Sequence, residues 1–104
     1  RYKKPLIISE NGLSCTDTIS LDKKIHDIQR IDFTTAYLEE LSKAIQDGAD
    51  IRGYFHWSFL DNFEWAQGYG ERFGLVHVDY QTQKRTPKDS AYWYKNLIAK
   101  NGSV

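Results

Sequence analysis

The sequence predicts an α/β fold made of two successive strand–loop–helix units. Two short apolar runs are typical of strands, and each is followed by a polar loop and then by a stretch in which apolar residues recur with helical spacing. Polar and aromatic residues cluster directly after both strands, which is where α/β proteins place their chemistry. The chain of 104 residues has the size of one small domain.

The first unit begins with an unbroken apolar run, residues 5–8, which is typical of a strand buried on both faces of a parallel sheet. The polar residues 13–28 indicate a long loop. Residues 27–47 have helical spacing, and Gly48 is expected to end the helix because glycine tolerates a left-handed backbone. The predicted apolar stripe of this helix consists of Ile31, Leu38, Leu41 and Ile45.

The second unit begins with residues 51–58, which indicate an aromatic-rich strand. Residues 61–74 are expected to form a loop, and residues 73–80 to add a short hairpin strand. A second helix is expected to start at Thr86, a capping residue followed by proline in the first turn and by an acid three residues later, and to end at Gly102. Its predicted apolar side consists of Ala91, Trp93, Tyr94, Leu97 and Ile98.

Charge and composition exclude several classes of function. Lys plus Arg and Asp plus Glu both number 14, so no net charge directs the surface toward nucleic acid or an anionic membrane. No apolar stretch approaches the roughly 18 residues of a membrane-spanning helix, and the run behind the basic start is expected to be too short for a signal peptide. Cys15 is the single cysteine and cannot form an internal disulfide, which suits a reducing compartment. The three histidines lie far apart, without metal-ligand spacing.

The end of the second strand and the loop after it have side chains suited to binding a sugar. Trp57 and Trp65 offer flat indole faces for the apolar C–H surface of a pyranose, and an indole N–H can donate to a hydroxyl. Glu64 can accept hydrogen bonds from two adjacent hydroxyls, and Glu10 places a second carboxylate at the end of the first strand. From the residues alone, alternatives stay open: the rings also suit a core, and the acids also suit a solvated surface.

Two longer motifs occur in the order found in a known enzyme family. They are Ile8-Ser9-Glu10-Asn11-Gly12, and the run from His56 through Glu64-Trp65 to Gly74. The first resembles the Thr-Glu-Asn-Gly nucleophile motif of glycoside hydrolase family 1, with Ser9 in place of threonine, and the second resembles that family's sugar-binding segment. The resemblance extends over nearly the whole chain and is strongest to the C-terminal quarter of a bacterial-type β-glucosidase.

The resemblance implies a (β/α)8 TIM barrel, with residues 6–10 as its seventh strand and residues 51–58 as its eighth. Because a whole barrel needs about 250 residues, residues 1–104 are expected to form the last two βα units of an incomplete barrel, as one segment. It also implies a retaining mechanism with Glu10 as nucleophile, kept ionised by positive or hydrogen-bonding neighbours. The implied substrate-binding residues are Trp57, Glu64, Trp65 and Phe73. No metal and no cofactor is implied.

The resemblance also implies that one catalytic group of the family is missing from this sequence. The acid/base glutamate of the family lies in an Asn-Glu-Pro motif, which this sequence lacks, so the isolated chain is expected to be inactive. Glu64 would repel a phosphate, which favours a non-phosphorylated β-D-glucoside as substrate. Glucose, galactose and fucose stay open as the preferred sugar, and family habit suggests a cytoplasmic location.

The expected partners are a small β-glucoside or oligosaccharide, and either the remainder of the barrel or further copies of this chain; nucleic acid and membrane are not expected. One alternative is a quarter-barrel that assembles with itself or binds carbohydrate without cleaving it. Another is a family member in which the acid/base residue was lost naturally.

Overall fold

The computed structural model describes residues 3–101, which fold into two βα units, with a small hairpin inserted between the strand and the helix of the second unit. The elements in chain order are β1 (Leu6–Asn11), α1 (Ile28–Gln46), β2 (Ile51–His56), a 3₁₀ turn (Trp65–Gln67), β3 (Val76–Val78), β4 (Arg85–Pro87) and α2 (Asp89–Ala99). β1 and β2 lie side by side in parallel, with α1 as the crossover between them. The order of strands and helices predicted from the sequence is therefore confirmed.

The prediction that the first strand is buried on both faces is wrong for this chain. Leu6 is 48% exposed and Ile7 is 60% exposed. β1 has β2 as its neighbour, and no other strand among residues 3–101 pairs with either of them. Because a parallel strand is buried only when both its edges and both its faces are covered, the unbroken apolar run indicates a larger sheet than these residues provide.

α1 has nearly the predicted bounds, and Gly48 ends it as predicted. The Gly48 N–H donates to the Ile45 carbonyl and the Ala49 N–H donates to the Ala44 carbonyl, both at 3.0 Å, while Gly48 has φ of 104°. This pattern is a Schellman cap, which favours glycine at the left-handed position. The fully buried residues of α1 are polar rather than the predicted stripe: they are Arg30 and Thr34, whereas Ile45 is exposed.

β2 is two residues shorter than predicted and ends at His56. The backbone then leaves the strand through a cis peptide bond between Trp57 and Ser58. From there the chain runs beside a later segment, since the Ser58 N–H donates to the Phe73 carbonyl and the Leu75 N–H donates to the Ser58 carbonyl, both at 3.0 Å. Residues 61–74 form a loop, as the sequence predicted, apart from the short 3₁₀ turn within it. The two hydrogen bonds of Ser58 close this loop at its base.

The hairpin strand predicted within residues 73–80 is present as β3, but the predicted start of the second helix is wrong. Thr86 lies opposite His77 in the antiparallel β3–β4 pair rather than capping a helix. Helix α2 begins at Asp89, and its first-turn Ser90 N–H donates to Oδ1 of Asp27 at 2.9 Å. The carboxylate of Asp27, which is distant in the sequence, therefore caps the N-terminus of α2 in place of the predicted local cap, Thr86. The predicted helix end, Gly102, lies outside the described residues.

The interior contains a cluster of charged residues that we call the ionic core: Asp17, Asp27, Arg30, Asp61, Arg72 and Lys88. The nitrogen–oxygen distances of its ion pairs are 2.5–2.8 Å. All these side chains are at most 2% exposed, except Arg72, which is partly exposed. Three acids face three bases, so the buried charges balance. The apolar part of the interior is small and consists of Ile25, Leu75, Val76, Val78 and Leu97. Neither helix among residues 3–101 combines the length and apolarity needed to cross a membrane.

Candidate active site

The carboxyl ends of β1 and β2 lie in direct contact. The Trp57 N–H donates to the Asn11 carbonyl at 2.9 Å, and the Tyr54 hydroxyl donates to Oδ1 of Asn11 at 2.8 Å. A Cβ atom placed on Gly12 would lie 1.8 Å from the Trp57 carbonyl oxygen, so only glycine permits this approach. Glu10 and Trp57, predicted as parts of one site, therefore lie at the carboxyl ends of two neighbouring strands, on the same end of the sheet.

Trp57 and Glu64 form the central contact of the site. The indole Nε1–H of Trp57 donates to Oε1 of Glu64 at 3.1 Å. The backbone of Glu64 is also fixed, since its N–H donates to the Gly68 carbonyl at 2.7 Å and its carbonyl accepts from the Gln67 N–H at 2.8 Å. Among residues 3–101 the carboxylate accepts one hydrogen bond, at Oε1, which leaves Oε2 and further lone pairs of Oε1 available to external hydroxyl donors.

Trp65 and Phe73 flank this contact in different ways. Trp65 starts the 3₁₀ turn with φ of 46° and is 85% exposed, so its indole faces solvent instead of packing in the interior. Phe73 is half-buried beside the base of the loop. Two exposed rings in the same loop, Phe63 and Tyr69, pack edge to face with centroids 5.3 Å apart. The loop therefore presents several aromatic faces to the outside.

Glu10 is exposed at the end of β1. Within residues 3–101, none of the hydrogen bonds or ion pairs involves its carboxylate, so the partners expected to keep it ionised are not supplied by this part of the chain. β2 pairs with one edge of β1, while the opposite edge has no neighbour among the described residues. The exposed carboxylate of Glu10 is therefore open to groups from outside residues 3–101.

Asp61 holds the start of the loop of residues 61–74, a role that sequence reasoning missed. Its two carboxylate oxygens accept hydrogen bonds from the Gly74 N–H at 3.0 Å, from Nζ of Lys88 at 2.8 Å and from the Arg72 guanidinium at 2.6 Å. Burial alone would raise the pKa of Asp61, but the bonds from Lys88 and Arg72 outweigh it and lower that pKa. Asp61 is therefore an ionised structural anchor with its acceptors already occupied.

Two of the histidines, His56 and His26, lie in contrasting environments. His56 has both ring nitrogens buried without a hydrogen-bond partner in the described structure, and desolvation, assisted by the charge of Arg30, lowers its pKa to about 4. His26 is exposed between Asp89 and Asp22, and hydrogen bonds to these two acids raise its pKa. Within residues 3–101 no group of three or more His, Cys, Asp or Glu side chains is arranged so that it could hold a metal ion.

Taken together, the two strand ends offer an exposed carboxylate on one side and an anchored carboxylate with indole rings on the other. The anchored pair, Trp57 and Glu64, combines an apolar face with a charged acceptor, which suits a ligand that has both C–H faces and hydroxyl groups. Of the residues predicted from the sequence, the structure joins Trp57 and Glu64 by a hydrogen bond and places Glu10, Trp65 and Phe73 on the strand end and loop around them.

Comparison with known proteins is consistent with this arrangement. The model of glycosyl hydrolase family 1 matches residues 1–103. The chain is 57% identical over 95 residues to a 1,4-beta-D-glucan glucohydrolase from Thermotoga neapolitana, covering 91% of the chain and 21% of that protein. It is 53% identical over 102 residues to beta-glucosidase A from Thermotoga maritima, covering 97% of the chain and 23% of that protein.

The solved structures lead to the same family. A family 1 β-glucosidase from Thermotoga maritima in complex with isofagomine lactam superposes with a TM-score of 0.94 at 52% identity, over 96% of this chain and 23% of that one. These structural neighbours are TIM barrels, and the chain is a partial α/β piece of such a fold. The chain spans about a fifth to a quarter of the length of the relatives it matches. By the match over residues 1–103, it belongs to glycosyl hydrolase family 1.

Proposed function

We propose that this chain is the C-terminal part of a retaining β-glucosidase that hydrolyses terminal, non-phosphorylated β-D-glucosides. The observation that supports it most directly is the hydrogen bond from Trp57 to Glu64, formed beside the strand end that bears Glu10. The match to glycosyl hydrolase family 1 and the similarity to proteins named as β-glucosidases support the same reaction class.

In the proposed mechanism Glu10 is the nucleophile. Its carboxylate attacks the anomeric carbon, and the bond from that carbon to the leaving oxygen breaks to give a covalent glycosyl-enzyme. A second carboxyl group, about 5–5.5 Å from the first in retaining enzymes, protonates the leaving oxygen and then removes a proton from the water that releases the sugar. That second group lies outside this chain, since the sequence contains no Asn-Glu-Pro motif.

The proposed glycone site consists of Trp57, Glu64, Trp65 and Phe73. The free acceptor positions of Glu64 take hydrogen bonds from two adjacent hydroxyls, and the Trp57 and Trp65 rings cover the C–H face of the sugar. An anionic carboxylate at this position disfavours a phosphorylated sugar, because two negative charges at close range repel each other. The proposed ligand is therefore a neutral pyranoside.

The proposed partner is the remainder of the (β/α)8 barrel, of which this chain would be the last two βα units. The two-stranded sheet and the bend that follows it leave apolar side chains exposed that a third strand or a helix would cover: Leu6, Ile7 and Phe55 in the sheet, and Phe59 after it. Without that remainder the chain lacks the acid/base group, whose contribution alone is about 10²–10⁴-fold. We expect the isolated chain to be inactive for this reason.

The test joins the chain to the N-terminal portion of the Thermotoga maritima relative, a fusion that we call the reconstituted protein. We expect it to unfold in one cooperative transition and to hydrolyse an aryl β-glucoside, and we expect Glu10→Gln to abolish that hydrolysis. Glu39→Gln, which alters an exposed acid on α1, is the matched control and should leave the rate unchanged. Hydrolysis that survives Glu10→Gln would remove Glu10 from the nucleophile role.

The exposed apolar side chains of the sheet also support a second candidate, a quarter-barrel that assembles with itself and binds carbohydrate without cleaving it. Sedimentation of the isolated chain distinguishes the two. A defined oligomer that binds glucose, together with a reconstituted protein that hydrolyses nothing, favours this candidate. A chain that sediments as ill-defined aggregates or as an unfolded monomer, and becomes active on reconstitution, favours the glycosidase.

A further inference from the structure

Two loops of the candidate site are joined by direct contacts that do not involve the candidate substrate-binding side chains. The Cys15 N–H donates to the Arg72 carbonyl at 3.0 Å, forming an isolated antiparallel bridge. Beside it, the Ser14 hydroxyl donates to the Glu71 carboxylate. We call these two bonds the interloop contact. It connects the loop that follows Glu10 to the far end of the loop that contains Glu64.

Arg30 completes this connection from the interior. Its Nε–H donates to the Leu13 carbonyl at 3.3 Å, and its NH2 group donates to the Arg72 carbonyl at 2.8 Å. The remaining donors face Asp17 at 2.7 and 3.0 Å and Asp27 at 2.5 Å. A guanidinium has five N–H donors, and all five are used here. The side chain is fully buried, so solvent does not compete for these bonds.

The hydrogen bonds from Arg30 to the backbone carbonyls of Leu13 and Arg72 indicate a role beyond charge balance. Asp17 and Asp27 neutralise the buried charge, which a stable interior requires of any buried cation. The bonds to Leu13 and Arg72 are not needed for that purpose, yet each fixes one of the two loops. Leu13 follows Glu10 by three residues, and Arg72 directly precedes Phe73.

We propose that Arg30 is a positioning residue that sets the spacing between the Glu10 strand end and the loop bearing Trp57, Glu64 and Phe73. The proposal rests on the proposed function, since it concerns the alignment of the nucleophile with the glycone site. Arg30 acts through the two loops and does not touch substrate. Misplacement of reacting groups by about 1 Å can cost on the order of 100-fold in rate, so a residue of this kind affects catalysis without taking part in it.

The first test is Arg30→Lys in the reconstituted protein. Lysine keeps the positive charge but has three donors on one nitrogen, so it cannot hold Asp17, Asp27 and both carbonyls together. We expect kcat/KM for an aryl β-glucoside to fall about 10–100-fold at a temperature well below the unfolding midpoint. Arg52→Lys, at an exposed arginine paired with Asp50, is the matched control and should change kcat/KM less than 2-fold, on the order expected for an exposed pair.

A second measurement separates positioning from simple support of the fold. If Arg30 acts by aligning Glu64, the fall in kcat/KM caused by Arg30→Lys should be only about 3-fold or less when Glu64 has already been replaced by glutamine. The reason is that the effects of substitutions at coupled residues are not additive. An equal fold-loss in both backgrounds would overturn the proposal. So would a lowered unfolding temperature with kcat/KM unchanged.

The interloop contact provides a milder variant in case Arg30→Lys does not fold. Ser14→Ala removes the bond to Glu71 at a half-buried position and leaves the ionic core intact. We expect kcat/KM to fall about 3–10-fold, the value of one ordinary hydrogen bond, with the same reduced effect in the Glu64→Gln background. An unchanged kcat/KM for Ser14→Ala contradicts the proposal. A reconstituted protein that folds but hydrolyses nothing before any substitution contradicts the proposed function instead.

Discussion

The indole N–H of Trp57 and the carboxylate of Glu64 are hydrogen-bonded at 3.1 Å, which couples a strand end to a residue seven positions along the following loop. The bond orients the carboxylate and leaves its second oxygen unoccupied by this donor. Since an acceptor with a fixed direction loses less conformational entropy on binding, the pair is preorganised for a ligand hydroxyl. The consequences can be measured in the reconstituted protein.

Replacing Trp57 with phenylalanine keeps an aromatic face and removes the donor to Glu64. We expect KM for an aryl β-glucoside to rise about 10-fold, since a hydrogen bond to a charged group contributes roughly 1.5–3 kcal/mol. Steady-state kinetics measure this change. Trp93→Phe on α2, far along the chain from the loop, is the matched control and should leave KM unchanged. Equal KM values for both variants would show that the Trp57 donor is irrelevant to binding.

Replacing Glu64 with glutamine removes the negative charge at nearly constant shape. We expect kcat/KM for an aryl β-glucoside to fall about 100-fold, because two charge-assisted hydrogen bonds become neutral ones. The rate on the matching 6-phosphoglucoside should fall less, since the charge that repels the phosphate is also lost. The ratio of the two kcat/KM values is the measurement. A ratio unchanged by the substitution contradicts the proposed role of Glu64 in excluding phosphate.

Replacing Lys88 with methionine leaves two buried acids without their shared cation. Nζ of Lys88 lies 2.7 Å from Asp17 and 2.8 Å from Asp61, and all three side chains are almost fully buried. We expect the free energy of unfolding to drop by about 3–5 kcal/mol, the usual cost of leaving a buried charge uncompensated. Urea denaturation measures it, with Lys95→Met at an exposed position of α2 as the control. A loss no larger than that of the control would show that solvent reaches these acids.

The buried ring of His56 predicts sensitivity to acid. Its pKa in the folded state is about 4, below its ordinary value of 6.5, because desolvation disfavours the charged ring. Between these two pH values the unfolded chain binds a proton that the folded chain does not, so stability should decline as pH falls from about 6.5 to about 4. The decline should amount to about 2 kcal/mol after allowing for the partial solvent contact of the ring.

His56→Phe should remove this part of the pH dependence, as measured by urea midpoints between pH 4 and pH 7. His26→Gln is an informative comparison because the pKa of His26 is shifted upward, by hydrogen bonds to Asp89 and Asp22. Its stabilising contribution is present at low pH and is lost as pH rises through the folded pKa, which is the opposite sign. A pH profile unchanged by His56→Phe would show that the ring is hydrated in solution.

Several features were predictable because they depend on neighbours along the chain. Helical spacing predicted α1 to within one residue at each end, and Gly48 ended it through a local cap. Trp57 and Glu64 belong to one motif, and the structure joins them directly. In these places the local signal and the tertiary structure agree.

Other features depend on partners that the local sequence does not reveal. Thr86 has a convincing capping pattern, yet pairing with His77 places it in a strand. Asp61 and Arg72 lie within the motif of residues 56–74, for which the sequence predicted no buried ion pair, yet they pair with each other in the interior. The burial of Arg30 was likewise not predictable from its neighbours in the sequence, because it requires acids from two separate positions, Asp17 and Asp27. Charge complementarity across long sequence separations has no periodicity to detect.

The distribution of the ionic core along the chain constrains how homologous genes can be recombined. Its members come from the loop before α1, from α1, from the loop after β2 and from the residue before α2. A crossover inside residues 17–88 divides these charged residues between two parents, so that side chains that must pair are placed by backbones that did not evolve together. This stretch is therefore inherited best as one block, and shuffled libraries should retain more folded members when their junctions fall on either side of it.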